Sequence, residues 1–242
     1  MVKVKLFLYR IARKIYNKII KWRNDMLFET TEFGLKGNHS QVSQPSIITQ
    51  PKNVFLHDYA RISSDNIILN NKGKFEIGKY SVISTGLRVV PDQHTSTVGI
   101  PHCCLGASHI HDKVMDIILD EDVWVGLNVI LLGGCHIKRG CIIGANTLIN
   151  RHTVTPPYAV IAGSPAHIIA VKFSIEQILQ HEEKLYPPEE RFTQSQLEEL
   201  FKTYYEGKRI FGVDGNLTEE EKNILNETCK IIGFQYPTFI KE

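Results

Sequence analysis

Histidines and cysteines are the residues of this 242-residue chain with the widest chemical repertoire, ten of the first and five of the second. One histidine is singled out by its position. The run Val89-Val-Pro-Asp-Gln-His94 starts like a buried strand and ends on an imidazole at the mouth of a long polar stretch. Imidazole exchanges protons near neutral pH, so a histidine held there can take a proton from a reacting group and return it. His102, His109 and His111 follow in the same stretch and are candidates for substrate contact. Asp92 would share the face of His94 on an extended strand and could orient the ring, although a solvated loop acid is the commoner role for such a residue. Cys103, Cys104, Cys135, Cys141 and Cys229 are odd in number and lack the paired spacing of a zinc site. That usage suits a reducing cytoplasm and gives no expectation of a metal.

What positions His94 is a repeat of six. The segments LDEDVW, VGLNVI, LLGGCH, IKRGCI, IGANTL and INRHTV begin on Leu119, Val125, Leu131, Ile137, Ile143 and Ile149, all aliphatic. Their fifth positions are Val123, Val129, Cys135, Cys141, Thr147 and Thr153, none larger than valine. A period of six is neither that of a helix nor that of a simple strand. It fits a short strand with one large inward side chain, followed by a tight corner where Gly or Asn takes up positive φ. Three such units per turn stack Leu119 on Ile137 and Val125 on Ile143 inside a three-sided prism. The register runs backwards through Val89, Ile83 and Ile77, and through Ile68, Ile62 and Leu56 after a surplus in the turn Asn70 to Lys74. Between Val89 and Leu119 the pattern lapses, so residues 95–118 are expected to leave the prism as a loop.

The hexads, Asp122-Val-Trp-Val-Gly126, Ile143-Gly-Ala-Asn146 and the closing Pro156-Pro-Tyr-Ala-Val-Ile-Ala-Gly-Ser-Pro-Ala166 together resemble the hexapeptide-repeat acyltransferases. The resemblance covers about half the chain, and within the family it is nearest the sugar O-acetyltransferases. It implies a left-handed parallel β-helix, with acetyl-CoA as donor to a hydroxyl or amine. His94 matches the family's histidine at the root of the extruded loop, which implies the role of general base. Ala145 matches an alanine whose amide meets the pantetheine arm, and Gly126 and Leu127 match the segment after the tryptophan. Asn150 and Arg151 stand where many members carry Thr-Lys near the CoA phosphates. Members form trimers with sites between subunits, so a homotrimer is implied. The acceptor expected is a sugar, of a bacterial surface polysaccharide or its precursor.

Alternatives use the same prism. An antibiotic or amino-sugar N- or O-acetyltransferase would share the donor site. A gamma-type carbonic anhydrase would need three zinc-binding histidines, two of them five apart, and the loop histidines at 94, 102, 109 and 111 lack that spacing. A noncatalytic scaffold would need the hexads without His94.

The prism must also carry two ends, giving an expected organisation of 1–50, 51–173 and 174–242. Residues 1–24 hold eight basic residues and no acid, with Val4, Phe7, Leu8, Ile11, Ile15, Ile19 and Trp22 at spacings of three and four. That is an amphipathic helix suited either to an anionic membrane surface or to packing on protein. A net charge of +2 gives no reason to expect nucleic acid. Beyond Phe173, Ser174 and Gln177 form a capping-box pattern for a helix to about Leu185, with further helices expected at 194–205 and 218–232.

Overall fold

Each aliphatic lead meets its equivalent one turn on: Leu119 pairs with Ile137, Val125 with Ile143 and Leu131 with Ile149, all in parallel register. These leads are buried, as are Val123, Val129, Cys135, Cys141 and Thr147 at the fifth positions. The computed structural model describes residues 2–239, with side-chain surroundings from residue 5. Its body is a parallel β-solenoid of about six turns with helices before and after it, the class the hexads imply.

Three faces run the length of the solenoid. The first holds Leu35–Lys36, Val54–Leu56, Phe75–Ile77, Ile117–Leu119 and His136–Ile137. The second stacks Gln41–Val42, Arg61–Ile62, Val82–Ile83, Trp124–Val125, Ile142–Ile143 and Ala159–Ala162, and ends on the antiparallel strand His167–Val171. The third holds Ser46–Ile48, Asn66–Ile68, Arg88–Val90, Ile130–Leu132 and Leu148–Ile149. The corners are tight. Asn128 and Asn146 adopt φ of 55° and 56° where the second face turns into the third. A Cβ on Gly126 would lie 2.8 Å from the Ala145 amide nitrogen, so the turns stack this closely only over glycine.

Two boundaries differ from the sequence expectation. The solenoid begins at Leu35 rather than after residue 50, because its first turn pairs Lys36 with Leu56, Val42 with Ile62 and Ile48 with Ile68. Lys36 hid this turn by placing a charge at an inward position. It closes the prism end: its Nζ donates to the carbonyls of Phe28 at 2.8 Å and Glu29 at 3.1 Å. Those carbonyls lie near the C-terminus of α1 (Val2–Thr30), where a cation is favoured. At the other boundary, Ile117 and Ile118 belong to the first face and not to the loop, since Ile117 pairs with Phe75 and is fully buried.

After the solenoid, α3 (Ile175–Leu185) opens on the expected cap, with Ser174 Oγ accepting from the Gln177 amide at 3.2 Å. It docks through Glu182, buried beneath three donors: the Tyr158 hydroxyl at 2.9 Å, the Phe192 amide at 2.6 Å and Arg139 at 3.3 Å. Alongside, Asp122 accepts from Lys172 at 2.6 Å and His181 at 3.0 Å. Burial would raise the Asp122 pKa, but these two partners outweigh it and hold the carboxyl below its usual range.

Candidate functional site

The strand that ends the third face at Val90 does not turn the corner; it runs on into a hairpin. Asp92 pairs with Val114 and Gln93 with Lys113, antiparallel, and continuing that register sets His94 opposite Asp112. The two side chains bond, His94 Nδ1 to Asp112 Oδ1 at 2.8 Å. Asp112 is shared: His109 Nδ1 reaches its other oxygen at 2.8 Å. His109 is held for this by a φ of 56°, where the short loop helix α2 (His102–Ser108) terminates and the His109 amide donates to the Leu105 carbonyl. Leu105, wholly buried, anchors the loop helix.

The bond to His94 is the main cause that holds the Asp112 carboxyl below its usual range, with His109 adding to it. An ionised carboxylate only accepts, so the Nδ1 of each ring carries the hydrogen, and in a neutral ring so held Nε2 is the acceptor. His94 Nε2 has no hydrogen-bond partner among the described residues. The carboxylate side chain is 3% exposed while His94 is 45% exposed, so a shielded acid orients an accessible imidazole.

Asp92, a candidate to orient the ring, does not reach His94; Asp112 holds it instead. Asp92 accepts from the amides of Lys72 at 3.1 Å and Gly73 at 3.0 Å, and so pins the surplus turn of the preceding coil. Asp112 could have been found from one signal, the hairpin register once a turn is assumed within residues 95–111. His111 bonds to Thr97 at 3.1 Å and His102 to Ser96 at 3.2 Å. One group of possible metal ligands stands together among the described residues, His94, His109 and Asp112, with ligand atoms within 4.8 Å. It is not the three-histidine set of the carbonic anhydrase alternative.

The donor-side candidates fall at two corners. Gly126, Leu127 and Ala145 stack where the second face turns into the third, with Gly126 N bonded to Ile143 O at 2.8 Å. Leu127 and Ala145 are exposed, and their amides find no acceptor among the described residues, which leaves them free for a ligand carbonyl. Asn150 and Arg151 lie at the next corner, the one from which the hairpin departs, since Leu132 pairs with Val90 and Leu131 with Ile149. One guanidinium nitrogen of Arg151 is buried without a hydrogen-bond partner among the described residues. Trp124 projects from the second face and is exposed; His167 is likewise exposed. Within one chain, His94 and Ala145 therefore sit at opposite edges of the third face and are not brought together.

No family model matches the chain. It is 40% identical over 63 residues to a chloramphenicol acetyltransferase of Morganella morganii, a match covering 26% of this chain and 29% of that protein. It is 31% identical over 134 residues to a polysialic acid O-acetyltransferase of Escherichia coli O1:K1 / APEC, covering 48% of this chain and 42% of that one. The chain thus matches less than half the length of these curated relatives. Among solved structures, a hexapeptide-repeat-containing acetyltransferase of Vibrio cholerae superposes with a TM-score of 0.51 at 24% identity, over 57% of this chain and 74% of its own. A maltose O-acetyltransferase of Clostridium difficile 630 superposes with a TM-score of 0.52 at 21% identity, over 65% of this chain and 86% of its own. The Vibrio cholerae protein has also been solved with acetyl coenzyme A. These likenesses establish the fold, that of the hexapeptide-repeat acetyltransferases.

Proposed function

We propose that this chain is an acetyl-CoA-dependent O-acetyltransferase whose acceptor is a sugar hydroxyl of a bacterial surface polysaccharide or its precursor, with His94 as general base. The observation that carries the reading is His94 held by Asp112 at 2.8 Å with Nε2 unoccupied. Nε2 takes the proton of the acceptor hydroxyl as its oxygen attacks the thioester carbonyl carbon. Asp112 stabilises the imidazolium that forms. The tetrahedral intermediate collapses, the carbon–sulfur bond breaks, and the imidazolium returns its proton to the departing CoA sulfur. The free amides of Leu127 and Ala145 suit the amide-rich pantetheine arm, with Gly126 keeping their backbone close-stacked. Asn150 and Arg151 suit the CoA phosphates.

The separation of His94 from Ala145 supports a homotrimer in which the loop of one copy closes on the Ala145 corner of the next. The solved maltose O-acetyltransferase neighbour favours the sugar acceptor, as does the polysialic acid enzyme. The chloramphenicol relatives favour a second reading, an antibiotic or amino-sugar acceptor, because their 63-residue match is the higher in identity. Acetyl-CoA turnover against a panel of glycans, amino sugars and chloramphenicol, with wild type and His94→Ala side by side, tests both. Turnover on glycans alone supports the first reading; turnover confined to chloramphenicol or amines replaces it with the second. We place the enzyme in the cytoplasm.

A further inference from the structure

The acetyl-transfer reading leaves α1 without a task. Its 29 residues extend about 43 Å at 1.5 Å per residue, yet among the described side chains its hold on the solenoid is in its last turns, through buried Phe28 and the carbonyls that Lys36 caps. Every side chain from residue 5 to residue 19 is exposed. Leu8, Ile11, Ile15, Ile19, Trp22 and Met26 form one apolar row at spacings of three and four, with Ile15 at 54% and Trp22 at 64% exposure. Exposed apolar side chains in such a row, rather than scattered, mark a surface that is covered in use.

The charges decide what covers it. Lys14, Lys18 and Lys21 run beside the row at the same spacing, Arg10 and Arg13 add to them, and no acid occurs before Asp25. Packing this face on a second copy would set two unopposed basic rows side by side, whereas anionic lipid headgroups neutralise them. No described helix is long and apolar enough to cross a membrane, so the fit is to lying in the interface.

We propose that α1 lays its Leu8-to-Met26 row into an anionic lipid surface, with the flanking lysines and arginines on the headgroups, and so holds the solenoid at the membrane by its first turn. This goes beyond the acetyl-transfer reading and does not depend on it. The shape of the attachment follows from Lys36 and Phe28, which fix the helix end to the prism while leaving the rest free to lie flat.

The test uses the full chain with vesicles of phosphatidylglycerol and phosphatidylcholine, against vesicles of phosphatidylcholine alone. The protein should sediment at least roughly tenfold more with the anionic vesicles, and half-molar salt should reverse most of it. Two full-length variants should lose that binding: Ile11/Ile15/Ile19→Ser, which removes the row, and Lys14/Lys18/Lys21→Glu, which reverses the charge. Both should keep acetyl transfer to a soluble acceptor, a readout separate from vesicle binding. Equal sedimentation with neutral vesicles overturns the proposal, as does undiminished binding by the serine variant. A fall in assembly mass of the serine variant by light scattering, with no vesicle binding by the wild type, overturns it in favour of a contact between copies.

Discussion

Two corners of one face show how a repeat divides its labour. At the corner before the third face, Asn128 and Asn146 turn the chain in a single left-handed residue and Gly126 lets the coils close up. Nothing reactive is there, only stacked backbone with free amides. At the corner after the third face the chain instead leaves the prism at Val90, pairs with itself, and returns at Ile117. The regular corner obtains its geometry from neighbours one turn away, and the irregular one from residues about twenty positions along the loop. Rigidity at the first and a self-made hairpin at the second are what allow His94 to be placed without disturbing the ladder.

The largest expected effect comes from removing the proposed base, His94. His94→Ala should lower turnover by roughly 10²- to 10⁴-fold, the range that general-base catalysis supplies. Its melting temperature should stay near that of wild type, because His94 stands outside the prism. Turnover within about threefold of wild type would remove His94 from the mechanism. The ladder gives the complementary result. Ile143, buried between Val125 and Ile161, should cost about 2 to 5 kcal/mol of stability when cut to alanine, measured by denaturant unfolding. Little change there would show that the prism is not held by its stacked leads.

Next in size is Asp112→Asn, which keeps the shape of the side chain but lets its amide donate to His94 Nδ1 and so move the ring hydrogen to Nε2. Turnover should fall by about tenfold or more with the Michaelis constant for acetyl-CoA little changed. Asp92→Asn offers the control: Asp92 holds the amides of Lys72 and Gly73, so its loss should be felt in stability before activity. An Asp92 variant that lost activity while Asp112→Asn kept it would reverse the assignment of the orienting acid.

The same contrast explains what could be read in the sequence. The hexads from Leu119 to Ile149 were legible because each inward position repeats a local steric demand. The Asp112 partnership was not, since it depends on hairpin register and on His109 adopting a left-handed backbone, neither of which leaves a periodic trace. The first turn escaped notice for a different reason. Lys36 occupies an inward position and breaks the aliphatic pattern, and its role there comes from the carbonyls at the end of α1, which only the folded chain brings near.

The smallest expected signal is the one that joins the two corners. If His94 of one copy works with Ala145 of the next, a variant of either kind is inactive alone while its other half-site remains intact. Ala145 is exposed, so Ala145→Tyr should block the donor groove without disturbing the stacked leads beneath it. Co-refolding equal amounts of His94→Ala and Ala145→Tyr chains should then restore roughly one site in four if a trimer forms by random mixing, because a working site needs one intact half from each of two neighbours. The gain should be absent when the two variants are mixed without unfolding, since preformed trimers keep their own subunits. No recovery after co-refolding, with mixed trimers demonstrated by mass, would mean that both halves must come from one chain, and the third face would then have to be spanned by the acetyl donor itself.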